Sequence, residues 1–364
     1  MKIGIITFHN ALNYGAMLQA YALQKYLLLQ GHDVEIIDYR QSYITQTWAL
    51  ISHKRLKGNY ILGTIKRYLN EILWMFWFRL RRYNAFHSFL KKYLIISSRQ
   101  NIKTENDIPE YDVYVIGSDQ IWNYKLTNGL DRILCGCFNK KGGKIVFYGA
   151  STQPIELNKE QKDFFKSSFK NVDLISVREI DLLPIYQPLT EKKIEVVVDP
   201  TFLLERKFYD EIATKVNHKK DYLLVYEVAT HPKVMDIAKT IANENNWDII
   251  VIPSNVCTKL NKNIRNSAGP NDFLGYIREA KCVITTSFHG TVFSIKFQVP
   301  FYTFLLGTKT DSRSMNICNL LGLSDRLINE KTNIVFSKID YSKIKKLDLS
   351  TSFTFLNFES SLCK

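Results

Sequence analysis

Residues 2–38 read KIGIITFHNALNYGAMLQAYALQKYLLLQGHDVEIID, and the fold class follows from them. Lys2 to Phe8 is a short apolar run, the mark of a buried strand. A polar loop, His9 to Asn13, comes next. Met17, Leu18, Tyr21, Ala22, Lys25, Tyr26 and Leu29 then recur at helical spacing until Gly31 stops the helix, and Val34 to Asp38 forms a second strand. Strand, helix and strand within about 35 residues make a βαβ unit, which requires a parallel sheet and a right-handed crossover.

The pattern continues outward. Tyr111 to Ile116, Lys144 to Tyr148, Leu174 to Val177 and Ile194 to Val198 are apolar runs bounded by turn or cap residues and read as further strands. After the charged stretch ending at Asn217-His218-Lys219-Lys220 a second alternation starts. It runs strand Tyr222 to Tyr226, helix Pro232 to Asn245, strand Asp248 to Ile252, helix Asp272 to Ala280, strand Cys282 to Thr285, helix Gly290 to Phe297 and strand Phe301 to Leu305. This predicts an α/β protein of two Rossmann-like domains: residues 1–217, with a helical insertion at about 41–100, and residues 218–330, followed by an extension, 331–364. Ligands are expected at the carboxyl ends of the strands, in a cleft that the two domains face.

The 364 residues suffice for two cores of about 150 residues each. With 46% hydrophobic and 23% charged residues, wholesale disorder, collagen and a dense disulfide scaffold are excluded. The net charge of +14 favours anionic partners without choosing among them. Cys135, Cys137, Cys257, Cys282, Cys318 and Cys363 are scattered, and Cys135-Gly136-Cys137 lacks a second pair to complete a zinc site. They read as reduced thiols of a cytosolic protein with no metal. The apolar run Ile72 to Phe78 stops at Arg79, far short of the roughly 20 residues that span a bilayer. Within the insertion Leu69, Leu73, Phe76, Leu80, Tyr83, Leu90 and Leu94 form one apolar stripe. Trp74, Met75, Trp77 and Phe78 lie off it. Beside Arg79, Arg81 and Arg82 these rings suit either a helix buried between two surfaces or an interfacial contact with anionic lipid.

The strand-end loops carry the candidate chemistry. His9-Asn10-Ala11-Leu12-Asn13-Tyr14-Gly15-Ala16 leaves the first strand and opens the first helix, where N–H groups and the helix dipole suit an anion. Asn13 is either an N-cap or part of an active cleft, with Tyr14 and Gly15 beside it. No GxGxxG or GxxxxGK[ST] pattern occurs, which argues against an ordinary dinucleotide site or phosphate loop. Gly117-Ser118-Asp119-Gln120-Ile121-Trp122-Asn123 gathers a hydroxyl, a carboxylate and two amides. Such groups recognise sugar hydroxyls or orient a phosphate, and they equally make a turn and a helix cap. Gly149-Ala150-Ser151-Thr152 has the same character. Ser176-Val177-Arg178-Glu179 ends a strand in an arginine whose fork can clamp a carboxylate or phosphate, or pair with Glu179. The sharpest segment is Thr285-Thr286-Ser287-Phe288-His289-Gly290-Thr291. Here a strand ends, three hydroxyls precede a histidine, and Gly290 opens a helix. A histidine so placed can give or take a proton near neutral pH while adjoining amides hold an anion.

In order and spacing, Asn13-Tyr14-Gly15-Ala16, Gly117 to Asn123, Ser176 to Glu179, Val198-Asp199-Pro200-Thr201-Phe202 and Ser287-Phe288-His289-Gly290-Thr291 resemble the polysaccharide pyruvyl transferase family, from about residue 3 to about residue 325. The resemblance implies a GT-B-like pair of domains, acceptor on the first and donor on the second. It implies transfer of an enolpyruvyl group from phosphoenolpyruvate onto two sugar hydroxyls, giving a cyclic pyruvate ketal and phosphate, in the assembly of capsules, exopolysaccharides or cell-wall polymers. Phosphoenolpyruvate is then a donor substrate, and no cofactor is implied. Carried over by motif, Arg178 looks like the family's arginine for the donor's anionic groups and His289 like its catalytic histidine. Many members have Arg-Leu-His-Gly where this chain has Ser287-Phe288-His289-Gly290, so a cation is missing two residues before the histidine. Arg313, Lys309 or Arg278 is expected to supply it.

The residue types fit that chemistry. The donor's carboxylate and phosphate call for cations and helix N-termini, with no metal by necessity. His289 is expected to deliver the proton to the donor or to assist phosphate departure. Asp119 is expected to take the proton from the attacking hydroxyl or to orient the sugar. Asn13, Tyr14, Gly15, Ser118, Gln120 and Asn123 join it as binding residues, as do Ser287, Gly290 and Thr291 beside the histidine. Two rivals remain. A GT-B glycosyltransferase using a nucleotide sugar would share the architecture, but no carboxylate for a ribose stands out at the end of a second-domain strand. A polyanion or nucleic-acid binding protein would use the charge, but the basic residues are spread over both halves. The expected partners are phosphoenolpyruvate and a sugar acceptor, on a lipid-linked oligosaccharide, and not nucleic acid. The expected location is cytoplasmic, peripheral at the inner face of the membrane where the segment Trp74 to Arg82 touches it.

Overall fold

Parallel strands are covered on both faces and therefore read as nearly unbroken apolar runs. The computed structural model describes residues 1–40, 43, 62–98, 102–154, 156–257, 261–332 and 334–362, with side chains of the helix that starts at Leu62 described from Met75 onward. Its contacts divide the chain into two units. In chain order the elements that matter here are β1 (Lys2–Ile6), α1 (Tyr14–Leu29), β2 (Asp33–Ile36), α2 (Leu62–Tyr93), β3 (Val113–Gly117), β4 (Lys144–Ala150), α3 (Lys159–Asn171), β5 (Leu174–Val177) and β6 (Ile194–Val196). There follow β7 (Tyr222–Glu227), α4 (Pro232–Glu244), β8 (Asp248–Pro253), α5 (Pro270–Glu279), β9 (Cys282–Thr285), α6 (Phe288–Phe297), β10 (Phe301–Phe304), α7 (Ser312–Leu321), β11 (Leu327–Ile328), α8 (Ser350–Leu356) and α9 (Phe358–Ser361).

The first sheet has the order β2-β1-β3-β4-β5-β6 and the second β11-β10-β9-β7-β8, and every pairing in both is parallel. The class is the one expected, α/β with two Rossmann-like units. Each sheet reverses its winding beside its own first strand, between β1 and β3 in one and between β7 and β9 in the other. Ligands of doubly wound sheets bind outside the carboxyl ends of the strands at such reversals. The first core centres on Trp122, whose ring lies 4.7 Å from Tyr186, 5.2 Å from Phe147 and 5.4 Å from Phe165. In the second, Leu223, Val225 and Ile284 pack against Val234, Ile237 and Ile241 of α4.

The units do not follow the expected boundaries. The first comprises Met1–Thr47, Leu90–Glu205 and Lys346–Lys364, the second Trp48–Phe89 and Arg206–Lys345. The insertion is therefore not an appendage of the first domain, since α2 belongs to the second unit through Phe89. Ala85 packs where a Cβ on Gly269, the N-cap of α5, would come within 2.8 Å of it. Arg82 is 2% exposed, its Nη1 donating to the Pro253 carbonyl at 2.8 Å and its Nη2 to the Ser254 carbonyl at 2.7 Å. It cannot face lipid headgroups, which corrects one of the three cations expected to do so. Trp77 is 59% exposed, with Arg81 stacked 6.0 Å from its ring. Leu69 and Leu73 of the expected stripe, Trp74 off it, and 41, 42, 44–61, 99 and 100 of the expected insertion lie outside the described residues or side chains. The extension also splits. Its last part returns to the first unit, where Ser352 Oγ accepts from Val198 N at 3.0 Å and Phe353 stacks on Tyr26 at 5.7 Å. Among the described residues no helix is long and apolar enough to cross a membrane.

Candidate active site

In the second unit the loop leaving β9 runs into α6 at the sheet's reversal. Ser287 caps the helix, its Oγ accepting from Gly290 N at 3.4 Å, while its carbonyl accepts from Thr291 N at 3.0 Å and Thr291 Oγ1 at 3.1 Å. Thr285 Oγ1 accepts from Ser287 N at 3.0 Å and donates to the Tyr226 carbonyl at 2.6 Å, which ties the helix start to β7. Only glycine fits at 290: a Cβ there would overlap Thr285 Oγ1 and come within 2.9 Å of Thr285 Cβ. His289 stands in this first turn, 8% exposed, its ring 5.1 Å from that of Phe288. Arg313 of α7 lays its guanidinium 5.9 Å from the Phe288 ring centre. A helix start with a cation and a histidine beside it is suited to an anion that must gain a proton.

Of the three cations expected to replace the arginine missing at 287, Arg313 is the one brought against Phe288, one residue from His289. Arg278 is engaged elsewhere, donating to the Asp210 carbonyl at 3.2 Å and to Glu279 Oε1 at 3.1 Å. Lys309 lies in the exposed turn before α7. Gly290 and Thr291 build the helix start instead of lining a surface. The Thr291 side chain is fully buried and shares a 2.6 Å hydrogen bond with Thr303 Oγ1.

In the first unit Asn13 is the exposed N-cap of α1, its side chain accepting from Ala16 N at 3.1 Å, and Tyr14 and Gly15 are buried in the first turn. The loop after β3 is held at its first residue from both sides. Ser118 N donates to Gln19 Oε1 at 3.4 Å, and the Ser118 carbonyl accepts from Arg178 Nη1 at 3.2 Å. Asp119 is half-buried, its Oδ1 accepting from Gln120 N at 2.8 Å. Gln120 Oε1 accepts from Asn123 Nδ2 at 2.8 Å, so these two amides orient each other.

Arg178 takes the second of its two expected arrangements, the pair with Glu179, and is engaged by further partners. Its side chain is 4% exposed, with Nε donating to Glu179 Oε1 at 3.0 Å, Nη1 to Asp199 Oδ2 at 2.5 Å and Nη2 to Ser151 Oγ at 3.0 Å. Burial would weaken its charge, but the carboxylates of Glu179, Asp199 and Asp119 overcome this and raise its pKa. A guanidinium so committed ties the ends of β3, β4 and β5 together.

Other polar groups at these strand ends were not foreseen. His9 Nε2 lies 3.1 Å from Asp38 Oδ1, and its Nδ1 3.1 Å from the Thr7 carbonyl. Burial would raise the Asp38 carboxyl, but the hydrogen bonds from His9 and Arg40 hold it below its ordinary range. At the end of β7 stands Glu227, a carboxylate in the position where none had been recognised. Burial pushes its pKa up against the N–H of His231, which donates to it at 2.8 Å. That bond seats Glu227 at the start of α4, a capping task. Its place directly after an apolar strand was the available signal, as was, for Gln19, a lone amide on an otherwise apolar stretch of helix. Among the described residues no group of three or more His, Cys, Asp or Glu side chains could hold a metal ion.

Comparison with known proteins supplies the family. No curated protein matches the sequence. Among solved structures, the UDP-GlcNAc 2-epimerase of Methanocaldococcus jannaschii has a TM-score of 0.44 at 15% identity, covering 90% of this chain and 88% of its own. The glycosyltransferase SsfS6 of Streptomyces sp. SF2575 has 0.37 at 12%, covering 90% and 87%. The family described as polysaccharide pyruvyl transferase matches residues 13–306, and the chain belongs to it.

Proposed function

We propose that this member of the polysaccharide pyruvyl transferase family transfers pyruvate from phosphoenolpyruvate onto two hydroxyls of one sugar, as a cyclic ketal, during surface polysaccharide assembly. The observation that carries the reading is the start of α6, where His289 and Arg313 flank Phe288 on a helix N-terminus. Phosphoenolpyruvate has a carboxylate, a phosphate and one carbon that must be protonated, and a helix start with a cation and a histidine supplies both needs.

In the proposed reaction a proton from His289 adds to the donor's methylene carbon, making a methyl group and an oxocarbenium-like centre. One sugar hydroxyl attacks that centre and gives its proton to Asp119. The bond to phosphate then breaks, and the second hydroxyl closes the ketal as its proton leaves with the phosphate. Atoms balance as diol plus phosphoenolpyruvate giving ketal plus inorganic phosphate. Arg313 offsets charge on the departing group. Arg178 is not assigned to the donor.

The acceptor is proposed to ride on a lipid-linked oligosaccharide at the inner face of the cytoplasmic membrane, with Trp77 and Arg81 as the peripheral contact. The test measures phosphate release from phosphoenolpyruvate, with chelator present, against synthetic lipid-linked glycosides, and weighs the products. A product heavier by one pyruvate less one water is expected. Phosphate-free incubation with every acceptor, alongside turnover of a nucleotide sugar, would replace this reading with the glycosyltransferase.

A further inference from the structure

The segment Val198-Asp199-Pro200-Thr201-Phe202 has no part in the chemistry above, yet Asp199 is 2% exposed and its carboxylate is fully directed. Its Oδ1 accepts from Thr201 N at 3.0 Å and Thr201 Oγ1 at 2.6 Å, and its Oδ2 accepts from Arg178 Nη1 at 2.5 Å. The turn therefore fixes the carboxylate, and the carboxylate aims the guanidinium. From there Arg178 reaches the ends of three neighbouring strands. It holds the Ser118 carbonyl after β3, Ser151 Oγ after β4 and Glu179 after β5. Ser118 is thus held through both of its backbone polar groups, its N–H by Gln19 and its carbonyl by Arg178. Gln19 is itself pinned, its Nε2 donating to Thr7 Oγ1 at 2.8 Å and to the Ala16 carbonyl at 3.0 Å. The next residue in the chain is Asp119.

We propose that Asp199 is a positioning residue which, through Arg178 and opposite Gln19, fixes the Ser118–Asp119 segment in the geometry that the acceptor hydroxyl needs. This rests on the reading of Asp119 as the proton acceptor. It reassigns the arginine of the Ser176–Glu179 segment from gripping an anionic substrate to gripping the protein's own backbone. Without that carboxylate Nη1 loses its charged partner, and the guanidinium, held then by Glu179 and Ser151, can draw away from the Ser118 carbonyl; a displacement of about 1 Å at a reacting group costs on the order of 10²-fold in rate.

The decisive variant is Asp199→Asn, which keeps the Thr201 turn and removes the negative charge that faces Arg178. Gln19→Leu loosens the same residue from the other side, and Arg178→Lys separates the two readings of the arginine. Each is compared with the parent by phosphoenolpyruvate binding in a calorimeter, by acceptor turnover, and by hydrogen exchange of the amides from Ser118 to Asn123. Positioning predicts phosphoenolpyruvate affinity within about twofold, turnover lowered about tenfold to 10²-fold, and faster exchange confined to that segment, in all three. A tenfold loss of phosphoenolpyruvate affinity in Arg178→Lys with unaltered exchange restores the donor clamp and overturns the proposal. Unaltered exchange and turnover in Asp199→Asn overturns it as well, as does global unfolding of both Asp199→Asn and Gln19→Leu. Exchange needs no substrate. A parent that neither binds nor consumes phosphoenolpyruvate therefore refutes the transferase reading, while the exchange result still decides whether the segment is held as described.

Discussion

Replacing Gly290 by alanine tests the way the helix start is built. The added methyl would overlap Thr285 Oγ1 and sit 2.9 Å from Thr285 Cβ and 3.0 Å from its Cγ2, all atoms of one short, fully buried side chain. Thr285 cannot rotate away cheaply, because its hydroxyl serves both the Tyr226 carbonyl and Ser287 N. Overpacking of this kind costs about 1–3 kcal/mol, and alanine in a helix regains up to about 1 kcal/mol over glycine, so a net loss of about 1–2 kcal/mol is expected. The same shift moves His289, the residue before it, and turnover should fall about tenfold or more. Thr285→Ala removes two of the three crowding atoms at the cost of two hydrogen bonds, about 1 kcal/mol each. The double variant should therefore be more stable than the sum of the singles by about 1 kcal/mol or more, read from equilibrium urea unfolding. Strict additivity, or full activity in Gly290→Ala, would refute the argument that the close approach sets the histidine's place.

His289→Ala should lower turnover on the order of 10²-fold or more with an unchanged melting temperature, and His289→Gln should not rescue it, as single-turnover assays would show. Arg313→Ala should weaken phosphoenolpyruvate binding about tenfold or more by calorimetry, the scale of one charge-assisted contact, and Arg313→Lys should recover part of it. Asp38 is held below its ordinary range, so its contribution to stability is full above the unfolded carboxyl value of about 4 and is lost as pH falls through the folded one. Asp38→Asn should flatten the acid limb of a stability profile measured between about pH 5 and pH 2. Arg82→Met leaves the Pro253 and Ser254 carbonyls without their donor and should destabilise by about 2 kcal/mol or more in thermal unfolding. It should leave sedimentation with anionic vesicles unchanged, whereas Trp77→Ser should weaken it.

Strand positions were legible because burial on both faces leaves a one-dimensional signature, and Leu174–Val177 and Cys282–Thr285 agree with their sequence reading at both ends. The placing of Ser287 and His289 at a strand-to-helix turn was legible for the same reason. What was not legible depends on distant partners. Arg178 reads as a clamp or as a partner of Glu179, and nothing local shows that Asp199, 21 positions later, lies against it. Arg82 reads as a surface cation because nothing local says that two carbonyls at 253 and 254 will receive it. The stripe on α2 announces a packed helix without saying which core it fills, so the unit boundary inside that helix had no sequence mark. Trp122, in a loop rich in polar groups, turned out to be the anchor of a core.

The return of the last residues to the first unit separates the order of synthesis from the order of assembly. Every strand of the first sheet has been synthesised once Val196 is made, but Ser352, Phe353 and Phe355 come only after the whole second unit. At about 5–20 residues per second the nascent first unit waits on the order of ten seconds with Tyr26, Tyr148 and the Val198 amide bare. Such a surface is a natural client for chaperones during translation. It also means that no single cut divides this chain into two halves that fold alone; a separable first unit would need two new joints, 47 to 90 and 205 to 346, with both segments of the second unit excised.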